Sequence, residues 1–158
     1  RPMSRAVLFR LGVLLALAIA LSSLREFCFH NLNYQVSFAS GQTDRSYAHS
    51  LVRHHLEGWG LQGLLRLKWL LALGFAALTG TLTFLTGRAL FGQRLDRIII
   101  LGYLLIGAVA LLLHLSAHWL PFTASAGVKL LHLLQYPMPL VFLIIASFLP
   151  GQRDVSRH

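Results

Sequence analysis

Four histidines and one cysteine are the side chains of this 158-residue sequence best placed by type and spacing for chemistry. His114 and His118 are four apart, so on a helix they share one face. The order of apolar segments argued below puts His30 and His132 near the same end of the molecule. Imidazole nitrogens gathered in that way could hold zinc, copper or a haem iron. Yet no carboxylate stands where it would orient the rings. Histidine is also tolerated at the edge of an apolar layer, and that reading is carried forward. No metal or cofactor is expected, with His30, His114, His118 and His132 as the alternative site.

Cys28 is the single cysteine, which excludes an internal disulfide and any cysteine-rich metal cluster within one chain. With Arg25 and His30 nearby it has the composition of a thiol nucleophile, a cation and a base. Residues two apart on a helix point in different directions, however, so inert packing is the expectation. Paired carboxylates, a Gly-x-Ser-x-Gly elbow, a phosphate-binding loop and a dinucleotide fingerprint are all missing. The chain therefore reads as non-enzymatic, a membrane thiol enzyme being the second alternative.

The elements that must position these residues are apolar. Hydrophobic residues make up 56% of the chain and charged ones only 12%, far from the balance of soluble domains. The excess of 14 Lys+Arg over 5 Asp+Glu gives +9, concentrated beside the apolar runs. That pattern orients a membrane protein, and no nucleic-acid-binding motif accompanies it.

Four spans are expected, at 6–24, 69–87, 98–120 and 130–149, each long enough to cross a hydrocarbon core of roughly 30 Å. The first has Arg10 near its basic end, where the side chain can snorkel. Gly12, Ala16 and Ala20 form a narrow small-residue ridge along it. A cleaved signal peptide competes for the same stretch, but the retained span is carried forward. In the second span Ala76 and Gly80 form a small-residue pair, and Thr79, Thr81, Thr83 and Thr86 can bond back to their own helix. A ten-residue loop, 88–97, follows, and an uncharged turn at 121–127 precedes the fourth span. Pro137 and Pro139 predict a kink there, with Gln135 or Tyr136 bonding the freed carbonyls.

Between the first two spans, 25–68 forms a long polar segment. Residues 31–41 lack a helical period and read as an extended loop. From Asp44, an expected N-cap, apolar Tyr47, Leu51, Val52, Leu56 and Trp59 define an amphipathic surface helix over about 44–58, ended by Gly58, Gly60 and Gly63. Arg1, Arg5, Arg10, Arg88, Arg94, Arg97, Arg153 and Arg157 fall on one side of this arrangement, so both termini are expected to be cytoplasmic. The fold expected is all-α, an integral membrane four-helix bundle with one extracytoplasmic amphipathic helix.

The layout resembles the small exosortase-system-associated membrane proteins of the kind that accompanies exosortase F and related exosortases in bacteria. The resemblance rests on a first span running into Arg25-Glu26-Phe27 and Phe29, on Arg66-Leu67-Lys68-Trp69 entering the second span, and on Gln135-Tyr136-Pro137 in the last. It implies an accessory multi-pass protein of the bacterial inner membrane, linked to an exosortase that processes C-terminal sorting signals. The catalytic Cys, Arg and His of exosortases are not carried over to Cys28. Expected partners are the lipid bilayer and an exosortase or other membrane protein, not nucleic acid. Gly12, Ala16, Ala20, Arg25, Glu26 and Phe27 are the candidate contact residues.

Overall fold

A computed structural model describes residues 5–116 and 121–148, with side chains for all of these but 121–125. The described chain is helical: α1 (Arg5–Ala39), α2 (Ser50–Leu56), α3 (Leu61–Phe91), α4 (Asp96–Ser116), α5 (Pro121–Gln135) and α6 (Met138–Ser147), with a short 3-10 turn at Gly92–Leu95. Two helical stretches, Arg5–Ala39 and Leu61–Ser116, are long and apolar enough to cross a membrane, and α5 with α6 makes a third if that bent pair is one span.

The stretch Leu61–Ser116 folds back at Gly92, whose φ of +64° suits a residue without a Cβ. Gly87 meets Ile99, the Thr83 and Tyr103 hydroxyls are 3.0 Å apart, and the Trp69 and His114 rings lie at 4.3 Å. Those three contacts make α3 and α4 antiparallel. The predicted 88–97 loop is therefore shorter than expected, because helix continues to Phe91 and resumes at Asp96.

α3 is the hub. α1 packs antiparallel on one side of it, through Phe29 against Phe75 and Leu32 with Leu64. α5 and α6 run along another, Gln135 bonding Ala72 and Leu143 touching the Gly87 position. α5 also lies antiparallel on α4, and there the backbones nearly touch. A Cβ at Gly127 would sit 2.9 Å from the Ala110 carbonyl oxygen and 3.1 Å from the His114 nitrogen. The expected turn at 121–127 is thus helix, with Pro121 in the first turn, where its missing N–H costs nothing. Gly127 serves close helix crossing rather than chain reversal.

The expected loop at 31–41 is also mostly helix. Leu11, Ala18, Arg25 and Leu32 recur every seven residues and are buried, and with Phe29 they carry one inner face through to Gln35. Asn31 sustains the helix by donating to the Phe27 carbonyl at 2.8 Å. Its other side-chain atom accepts from the His49 N–H, and Gln35 accepts from the Ser46 hydroxyl at 2.6 Å. Polar residues that resembled loop in the sequence fasten a real loop onto the helix.

The surface helix is smaller than predicted. It spans seven residues, and its N-cap is His49, whose ring accepts from the Leu51 N–H at 3.3 Å, in place of Asp44. Val52 and Leu56 pack against Leu32 and Leu64, while Tyr47 and Trp59 stay exposed. Gly58, at φ +86°, ends the turn, but Gly63 lies inside α3. The predicted kink is present: α5 and α6 meet at 53°.

Candidate functional site

Arg25 is 2% exposed and Gln135 is 1% exposed, although both sit in apolar surroundings. The seven-residue repeat of α1 aims Arg25 inward, at the break between α5 and α6. There its fork is divided among three acceptors. Nε donates to Gln135 Oε1 at 2.9 Å, Nη1 to Glu26 Oε1 at 2.6 Å, and Nη2 to His132 Nδ1 at 3.2 Å. The guanidinium also lies over the Tyr136 ring at 4.4 Å and the Phe29 ring at 5.0 Å, contacts worth about 0.5–2 kcal/mol each.

The acceptors are themselves held. Gln135 Nε2 donates to the Ala72 carbonyl of α3 at 3.2 Å. The Tyr136 hydroxyl donates to Glu26 at 2.9 Å, so the carboxylate takes two bonds on one oxygen while staying on the rim, 60% exposed. Pro139 lacks the N–H that would bond the Gln135 carbonyl in an unbroken helix. The Thr79 hydroxyl of α3 supplies that bond at 3.2 Å. The freed carbonyl is therefore satisfied by Thr79, and Gln135 and Tyr136 turn their side chains to Arg25 and Glu26 instead. Thr81, Thr83 and Thr86 bond back within α3 as expected, at 2.9, 2.9 and 2.8 Å.

This cluster ties α1, α3 and the α5–α6 break at one level. Arginine stays protonated and only donates. His132 Nδ1 must therefore be the acceptor, which puts the proton of the neutral ring on Nε2. The arrangement can clamp helices and fix a histidine tautomer. A nucleophile with an adjacent base is not among its parts.

Of the expected contact residues, Gly12, Ala16 and Ala20 are exposed on the face of α1 opposite its buried stripe, and a Cβ at Gly12 meets nothing within 4 Å. Phe27 is 43% exposed and lies edge-on to His49. Glu26 reaches the rim, whereas the Arg25 side chain belongs to the interior.

The alternative metal set is split, His114 and His132 bordering one cavity and His30 lying elsewhere. His30 lies against Tyr34 at 4.6 Å, His114 against Trp69, and His132 on Arg25, while His118 falls outside the described residues. Among the described residues no three His, Cys, Asp or Glu side chains gather to hold an ion. Cys28 faces a cavity lined chiefly by Leu32, Leu56, Leu67 and Leu71. His55 also borders it but donates Nδ1–H to its own helix at the Leu51 carbonyl, 2.7 Å away. Arg25 and His30 are engaged elsewhere.

Sequence reasoning missed the union of Arg25 with His132, Gln135 and Tyr136. A signal was available: an arginine on an apolar heptad face and a Gln-Tyr pair inside an apolar span each need a polar partner, and each is the other's. No family model, curated protein or solved structure was found to match the chain.

Proposed function

We propose that this protein is a non-enzymatic, multi-pass membrane protein that works by docking another membrane protein, as an accessory of an exosortase-linked sorting system in the bacterial inner membrane. α1, α3, α4 and the bent α5–α6 pair would each cross the bilayer, with both termini cytoplasmic. The apolar exterior supports insertion. Only 6% of the most apolar window in either long stretch is buried, leaving large residues such as Phe9, Leu70, Leu105 and Phe142 facing outward.

The observation that carries docking is the division of α1 into two faces. Leu11, Ala18, Arg25 and Leu32 pack inside, while Gly12, Ala16 and Ala20 are exposed, with no helix against them among the described residues. In lipid, association depends on close packing and hydrogen bonds more than on hydrophobicity, and a small-residue ridge provides the close approach. Glu26 and Phe27 at the rim would complete the contact.

Ala16→Leu and Ala20→Leu test the reading by co-purification with a co-expressed exosortase. Loss of the complex, with unchanged thermal unfolding of the isolated protein, is expected. Normal complex formation by both variants would refute docking through this face.

A further inference from the structure

Between α3, α4 and α5, bordering the Arg25 cluster at His132 and Gln135, lies a cavity of about 180 Å³ lined also by Lys68, Trp69 and His114. It is smaller than the roughly 300 Å³ at which sites for whole drug-sized ligands begin, and it suits a single small group. Its polar lining is biased toward donors. Lys68 has no ion-pair partner among the described residues. The bond from Arg25 fixes His132 with its proton on Nε2, a second donor. His114 Nδ1 is buried with no hydrogen-bond partner among the described residues. Among the described residues no carboxylate lines the cavity; Glu26 is bonded on the far side of Arg25. A buried imidazole nitrogen without a partner is costly unless a ligand completes it, and Lys68 on the same lining favours an anion.

The cavity opens onto an apolar groove. Trp69 and Leu131 line both it and a larger space of about 530 Å³ between α3, α4 and α5, which continues through Ala76, Ala77, Tyr103 and Leu104 into a further space of about 320 Å³ between α3 and α4 reaching Phe84. Small residues open this groove: Ala76, Ala77 and Gly80 on α3, Gly107 and Ala108 on α4. From Trp69 to Phe84 the helix rises about 22 Å, more than the half of a roughly 30 Å core that one acyl chain must cover.

We propose that this composite site binds an anionic phospholipid, its phosphate held by Lys68, His114 and His132 and one acyl chain laid in the α3–α4 groove. Charge complementarity at one end and an apolar trough at the other distinguish a lipid from a free anion. The inference is independent of the docking face on α1.

Native mass spectrometry of the full chain in detergent tests it, with phosphatidylglycerol, phosphatidylcholine and inorganic phosphate as probes. Phosphatidylglycerol is expected to be retained at least fivefold better than phosphatidylcholine. Lys68→Gln and His114→Phe should each remove most of that preference, Lys68→Arg should keep it, and Arg66→Gln, an exposed charge two residues away, should leave it unchanged. Ala77→Phe, which fills the groove from an exposed position, should lower lipid retention at least threefold and decides the matter if Lys68→Gln fails to fold. Equal retention by wild type, Lys68→Gln and Ala77→Phe would overturn the proposal. So would displacement of the lipid by millimolar inorganic phosphate, which would mark the cavity as a site for the free anion.

Discussion

Arg25 Nε and Gln135 Oε1 lie 2.9 Å apart across 110 residues of sequence, both sealed from solvent. One hydrogen bond thereby joins the middle of the first helix to the break in the last pair. Hydrogen bonds to a charged group contribute about 1.5–3 kcal/mol, more than neutral ones, and leaving a buried partner unpaired adds its desolvation cost. Arg25→Ala should destabilise the protein by about 2–4 kcal/mol, and Gln135→Leu by about 1.5–3 kcal/mol. Because the two share one bond, the double variant should fall short of their sum by about 1–3 kcal/mol in equilibrium unfolding in detergent. Strict additivity would show that the bond does not form.

Arg25→Lys should recover less than half of the loss. A lysine ammonium cannot present the planar fork that reaches Gln135, Glu26 and His132 together, nor stack as well between Phe29 and Tyr136. Glu26→Gln, at a rim position 60% exposed, should cost under about 1 kcal/mol. A reversed ranking in thermal unfolding would place the anchor at Glu26.

Gly12 and Gly127 make a matched pair. A side chain at Gly127 would collide with α4 backbone at the Ala110 carbonyl, whereas one at Gly12 has open space. Gly127→Val should therefore destabilise by about 1–3 kcal/mol through overpacking, and Gly12→Ala should leave stability unchanged or slightly raised by helix propensity. Equal effects would remove the argument that α4 and α5 cross at this glycine.

Thr79→Val should cost about 1 kcal/mol or somewhat more, since it orphans the Gln135 carbonyl that Pro139 already deprives of a backbone donor. Thr81→Val serves as control, because its exposed hydroxyl only bonds back to the Ala77 carbonyl at 2.9 Å. The difference between the two melting curves is the measurement. No difference would mean that the break is not supported from α3.

The all-helical character, the length of the apolar helices and the kink at Pro137 were legible because each follows from local pattern: runs of apolar residues, missing charges, a proline. What escaped was long-range pairing. Asn31 and Gln35 read as loop because polarity was taken at face value, yet their side chains turn inward to hold residues 46 and 49. The run 121–127 reads as a turn by composition, yet it is helix, and Gly127 is what lets α5 approach α4. Arg25 reads from sequence as a partner-contact residue; only the seven-residue spacing from Leu11 and Ala18 shows that it must point inward. Of the histidines grouped by spacing and topology, His114 and His132 border one cavity, while His30 lies against Tyr34.

The proposal that this chain crosses a bilayer with its surface helix, expected over about 44–58, on the outside is tested most directly by cysteine labelling of intact cells. In a Cys28→Ser background, single cysteines would replace Asp44, in the loop after α1, and Gln93, in the turn after α3. Both positions are exposed, and the antiparallel packing of α1 on α3 puts them at opposite ends of helices about 46 Å long. A membrane-impermeant maleimide should label the Asp44 position in intact cells and the Gln93 position only after permeabilisation. Labelling of the Gln93 position from outside, or equal labelling of both, would contradict the account.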